Sequence, residues 1–387
     1  MKRSEILIVL ALIGFGLIFQ LLDSGKAPAG THAAETLRRL SRGPLQRVEM
    51  AAISRSPSGR VIIMNRAGDM TFRNNETGAL EILPTVECYQ ASPEKARKMA
   101  GQVKIRIRTR NDDTLVVETD IPERYDFKQL RVRLDIRLPR DYPLDIHSRY
   151  GIIEIDHLQN PCRIDLSRGD LEVVGTGSPV EIRHTHGRIE LSEAVGTLDI
   201  HSSFSRLEVR RCRAIAVDGH HCRMRLEQVR GDVAISNRHA QVDLNDIQGN
   251  VNLQMADSPV FLSHVTAATL AVKNRYKPVQ GRRLDVNALD AMVSHADLDL
   301  QFTRIAETLN VKANQAGMRL ALPAGIDPLL HVQLRYGRII NRSALPLQVR
   351  KTRTLQQANT DGGSPVIVVD GHYSDLVLSR APGASAD

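Results

Sequence analysis

A repeat constrains this chain more than any other feature. Between Leu144 and about Leu320 the same apolar skeleton returns every 17 to 20 residues, most often every 18. One copy runs Val180-x-Ile182 and then Ile189-x-Leu191; the next runs Leu198-x-Ile200 and then Leu207-x-Val209. Earlier copies begin at Leu144 and Cys162, and later ones at Ile215, Val233 and Val251. A period of this length marks a solenoid, whose copies bury their apolar side chains only by stacking on their neighbours.

Each copy divides in two, with apolar pairs nine residues apart. Within each half the order apolar, polar, apolar is the period of a strand with one buried face. Small residues (Gly151, Gly169, Gly187, Ser205) recur where corners are needed. The predicted fold is therefore all-β: a parallel β-solenoid of about ten 18-residue coils over 141–325. At roughly 4.8 Å per layer the rod is on the order of 45–50 Å long. The copies at Leu270, Leu289 and Leu309 are less regular, and Lys277-Pro278 interrupts one of them, so that end is expected to be distorted. Ser205, Cys222 and Lys277 replace corner glycines, which puts coil regularity in question there.

Two flanking regions read differently. Ile6–Leu22 is uncharged and follows Lys2-Arg3. At 1.5 Å per residue it reaches about 26 Å, near the lower limit for crossing a bilayer. It reads as one transmembrane anchor (1–22) with the body outside the cytoplasm; a cleaved signal with a site near Ala27-Pro28-Ala29 is the alternative. Residues 23–47 form a tether. Over 48–140, short strands, a helix opened by Ser92-Pro93-Glu94 and a hairpin about Asn111-Asp112-Asp113 predict a β-sandwich-like cap. Residues 326–387 supply closing strands and a tail. Such covers are needed because an open coil is an unpaired edge.

Ser92-Pro93-Glu94-Lys95-Ala96, the strand ending Arg137-Leu138-Pro139, and Leu144-x-Ile146-His147-Ser148-Arg149-Tyr150-Gly151-x-Ile153 together resemble the putative adhesin family, a domain of unknown function in bacterial envelope proteins. The resemblance covers roughly residues 50–325. It implies a surface-associated bacterial β-solenoid and supplies no catalytic residues.

Candidate site residues come from column positions. Equal places in successive coils stack, so His221 and His239 fall side by side with Asp257 next, a spacing open to metal binding. The competing reading is a solvent-facing ladder of flat side chains, and no metal or other cofactor is expected. Lys104, Arg106, Arg108 and Arg110 alternate with apolar residues, and Arg131 and Arg133 repeat the arrangement. With a net charge of +8, such a face suits anionic lipid or an acidic envelope polymer. An exported location and the absence of aromatic interleaving argue against nucleic acid. The four cysteines are expected as free buried thiols, since Cys212 and Cys222 occupy different corners.

Nucleophile elbow, phosphate loop and zinc-protease motifs are absent from the sequence. The acidic residues Asp165, Glu172, Glu181 and Glu190 read as spread singly. The expectation is a non-enzymatic, inner-membrane-anchored periplasmic solenoid for binding, adhesion or scaffolding, with the membrane and another envelope protein as candidate partners. A carbohydrate-active β-helix enzyme and a lipid-handling or stress-sensing protein are the alternatives.

Overall fold

The computed structural model describes residues 45–381, apart from 90, 111 and 112. The apolar stretch Ile6–Leu22, most of the tether and residues 382–387 lie outside the described residues. Among the described residues no helix is long and apolar enough to cross a membrane.

The repeat folds as a parallel β-solenoid of about nine turns. Along one face the register steps from Ile153 to Leu171, Ile189, Leu207, Met224, Val242, Val260, Val279, Leu298 and Met318. The ten layers read from the sequence thus bound nine steps. On the other face Leu144, Cys162 and Val180 align, then Leu198, Ile215, Val233, Val251, Leu270, Leu289 and Leu309. Inward residues such as Ile182, Leu207 and Val242 are wholly buried, so the two faces share one continuous apolar core.

The predicted β-sandwich-like cap is not a separate layer. Val61–Ala67 and Met70–Asn74 form a further coil, parallel and in register with Leu144–Tyr150 and Ile153–Leu158. The chain then leaves the stack, and Leu115–Asp120 and Leu130–Leu138 pair in parallel on the outer side of that coil. Antiparallel strands Lys104–Thr109 and Leu80–Tyr89 cover these two outer edges, and Leu45–Glu49 pairs with Leu80–Tyr89. The helix Pro93–Ala100 forms where expected, with Ser92 Oγ accepting the Lys95 N–H at 3.3 Å.

The other end repeats the device. Val366–His372 and Asp375–Arg380 stack on Leu298–Asn314 and Gly317–Leu322. Leu329–Arg335 and Ile339–Arg342, earlier in sequence, lie outside them, and Leu355–Asn359 closes Leu329–Arg335 antiparallel. At both ends the outermost coil is therefore placed out of sequence order. Reversing direction matters physically: a parallel stack always offers another open edge, whereas an antiparallel strand can terminate it. Two further layers at each end lengthen the rod to on the order of 60 Å.

Irregularity is milder than expected. Pro278 sits at a corner, where its carbonyl accepts the Val260 N–H at 3.0 Å, and the coils continue past it. Register shifts lie instead between Gly281 and Ala288 against the following coil, and between Ala194 and Thr197 in an earlier one.

Candidate functional site

Two edges run along the rod where the chain turns between faces. On one of them the first coils turn at glycine. Gly169 has φ +147°, and a Cβ there would lie 1.8 Å from the Gly151 carbonyl oxygen, so the coils approach too closely for any side chain. Later coils make the turn one residue earlier, with Phe204, His221, His239, Asp257, Tyr276 and His295 at φ of 51° to 73°. This is why Ser205, Cys222 and Lys277 do not break the stack. Corner backbones are tied coil to coil: the N–H of Phe204 donates to His220 O at 2.9 Å and that of His221 to Arg238 O at 2.8 Å.

A left-handed corner residue projects its side chain outward, so flat groups stack at the spacing of the layers. His186 and Phe204 are stacked at 5.3 Å, Phe204 and His221 at 4.9 Å, and His221 and His239 at 4.8 Å. Further along come Tyr276 on His295 at 5.6 Å and Tyr373 on Tyr336 at 4.9 Å. Towards the N-terminal end Phe127 stacks on Tyr150 at 4.4 Å, with Arg168 over the Tyr150 ring. The chain has seven Phe and seven Tyr; among the described residues, six of them lie on this one edge. Phe204, Tyr276, Tyr336 and Tyr373 are each about half exposed.

The opposite edge has the same backbone and different chemistry. Its left-handed residues are His157, Glu193, Arg211, Gln228, Asp246, His264 and Arg283. They pair as ions and polar contacts, with Arg211 on Glu193 at 2.8 Å and Arg230 on Asp246 at 3.1 Å.

His221 and His239 stand side by side as the column positions predict. Asp257 follows, its Oδ2 3.6 Å from His239 Nδ1. His220, which does not share their column position, joins them: its ring meets His221 edge-on at 4.4 Å and His239 edge-on at 5.7 Å. Consecutive histidines spanning the end of a strand and its corner were the available signal. Beneath this edge His184 is buried. Its Nε2 donates to Gly169 O at 2.9 Å, and Nδ1 accepts from Ser205 Oγ at 2.8 Å. Burial holds His184 below the ordinary imidazole value.

All four cysteines are free and buried. Burial pushes the Cys212 thiol up to about 11 and raises Cys162 as well, so neither offers a thiolate.

The basic residues do not share one face. Lys104, Arg106 and Arg108 lie on the strand covering one face of the rod, Arg131 and Arg133 on a strand of the other. Arg106 pairs with Asp120, and Arg108 with Glu118 at 3.0 Å, while Lys104 and Arg110 are exposed towards the two ends of that strand. Arg131 lies over the Tyr89 ring and donates to Phe127 O at 3.0 Å. Arg133 instead joins Arg47 and Arg97 around an open hollow of about 540 Å³, which Glu49 also lines. Sequence alternation could not show this convergence, because the three arginines come from three separate elements.

The acidic residues are not scattered singly. Glu154, Glu172, Glu190 and Glu208 align in register in one column. Arg188 donates to Glu190 at 2.6 Å and Arg206 to Glu208 at 2.6 Å. Glu190 and Glu208 are thus cation-paired and Glu154 accepts from Thr71 Oγ1 at 3.2 Å, on an open face without the apolar surroundings that create a proton donor.

No family model matches the chain, and no curated protein matches it in sequence. The crystal structure of a putative cell adhesion protein from Clostridium sporogenes is similar at 8% identity with a TM-score of 0.21, over 87% of this chain and 100% of that one. A likeness of that degree carries no inference about this chain.

Proposed function

We propose that this protein is a non-enzymatic binding or adhesion rod of the bacterial envelope, tethered through Ile6–Leu22, whose ring-bearing edge engages its partner. The concentration of Phe and Tyr rings on one edge carries this reading. Positive φ is cheapest for Gly, Asn, Asp and His, and is an outlier for a bulky side chain. A merely solvated edge would use those cheap residues, or ion pairs as the opposite edge does. Phe204, Tyr276, Tyr336 and Tyr373 instead hold half-exposed apolar rings at strained corners. Outliers of this kind are retained where they serve a function. Rings with an apolar face and a polar rim are also enriched at binding surfaces.

In the same reading the Arg47, Arg97 and Arg133 hollow rests on anionic lipid or an acidic envelope polymer. Arg47 is close in sequence to the tether, and charges within about 10 Å of an anionic surface are felt at physiological salt. The test is a glycan and lipid array probed with residues 40–387, which keeps the strand Leu45–Glu49 intact. A saturable hit lost on replacing Phe204, Tyr276 and Tyr373 supports the reading. Hits indifferent to those changes would transfer the function elsewhere on the rod.

A further inference from the structure

The cluster His220, His221 and His239 has a geometry that ring stacking does not require. A ladder needs His221 and His239 to lie parallel, and they do, with 21° between their planes. His220 stands at 90° to His221 and 87° to His239, aiming its edge across the gap. One ring nitrogen from each of the three lies within 4.8 Å of the other two. We propose that His220, His221 and His239 bind one divalent transition-metal ion, Zn²⁺, Ni²⁺ or Cu²⁺, as a three-imidazole site open to solvent.

Imidazole nitrogen suits these three ions, and a metal–nitrogen bond is about 2.0–2.1 Å. Tetrahedral ligation then needs nitrogens roughly 3.4 Å apart, which small rotations of three exposed rings supply. The backbone beneath is already fixed by the coil-to-coil bonds from His221 N to Arg238 O and His239 N to Ala256 O. Asp257 adds the outer contact that metal-binding histidines commonly have. Its carboxylate lies 3.6 Å from His239 Nδ1, so a small closing of that gap on metal binding gives the hydrogen bond that would leave Nε2 for the ion. Arg238, in register beside His220, is a cation next to the site. Binding should therefore be weaker than at a closed structural zinc centre. The inference does not depend on the edge being adhesive.

The full chain, purified without a polyhistidine tag and freed of metal, would be titrated calorimetrically with Zn²⁺ and Ni²⁺. Its Cu²⁺ complex would be examined by electron paramagnetic resonance. The expected result is one ion per chain, with coupling to imidazole nitrogens in the Cu²⁺ spectrum. Affinity should fall at least tenfold in His221→Ala and in His239→Ala, and about tenfold in Asp257→Asn. His264→Ala, on the opposite edge, should leave it unchanged. Absence of saturable binding, or of nitrogen coupling in the unmutated chain, overturns the proposal. So does an affinity that survives the combined His221→Ala and His239→Ala change.

Discussion

Phe204→Gly separates a binding edge from structural cement. Phe204 holds φ 52°, is 54% exposed, and stacks on His186 and His221. A left-handed backbone costs an L-residue about 1–2 kcal/mol. Glycine removes that cost but gives back about 0.5–1 kcal/mol through the greater freedom of its unfolded chain. Two exposed ring contacts, each near the lower end of about 0.5–1.5 kcal/mol, are lost. Half the burial of a Phe side chain, about 1 kcal/mol, goes with them. The expected net destabilisation is about 0.5–2 kcal/mol, well below the about 3–5 kcal/mol for emptying a buried Phe site. Phe72→Ala supplies that reference, since Phe72 is wholly buried. Urea unfolding followed by circular dichroism compares the two variants, and the array measures binding. If Phe204→Gly unfolds as readily as Phe72→Ala, or binds its array ligand undiminished, the edge serves the rod and not a partner.

Further outcomes are expected. Ile182→Asp places an unpaired charge in a fully buried site and should cost several kcal/mol. Glu181→Gln, which loses contacts to Arg183 at 3.1 Å and Arg163 at 3.7 Å on a partly exposed face, should cost under about 1 kcal/mol; equal melting temperatures would refute the inward and outward assignment. His184 has a lowered folded value, so below pH 6.5 the unfolded chain takes up a proton that the folded chain refuses. Stability contributed by its neutral form should therefore be complete above that pH and fall as pH drops through it. A His184→Gln variant with the same slope of melting temperature against pH would disprove this role. Changing Arg97 and Arg133 together to Gln should reduce salt-sensitive binding to anionic vesicles more than changing Arg106 and Arg108, which, like Arg47 of the same hollow, already have acidic partners; the reverse order would return the site to the strand Lys104–Thr109.

The coils were legible in the sequence because a strand buried on one face writes its period directly into apolar positions. Burial of Ile182 and exposure of its neighbours follow from alternation alone. The ends were less legible. Val61 and Met70 carry the same nine-residue offset as Leu144 and Ile153, and so do Leu330 and Ile339. That offset marks them as coils, but nothing local tells a segment that its stacking neighbour lies more than 80 residues away. A strand of the outermost coil and a strand of an antiparallel cap have the same period, so only the long-range pairing distinguishes them.

The edge illustrates a different limit. Column arithmetic placed His221 beside His239 because both occupy equal positions in coils of similar length. It mistook missing glycines at Ser205, Cys222 and Lys277 for defects, because a turn can move one residue earlier when that residue accepts positive φ. Once it moves, the side chain at the corner becomes a choice that the backbone no longer dictates. The two edges make that choice visible: at nearly the same left-handed angles, one carries Glu193, Arg211 and Asp246, the other Phe204, His221 and Tyr276. Stacking geometry is common to both and so explains neither composition. What remains to be explained is why Phe and Tyr occupy one edge; under the function proposed above, a surface that meets another molecule accounts for it where coil folding alone does not.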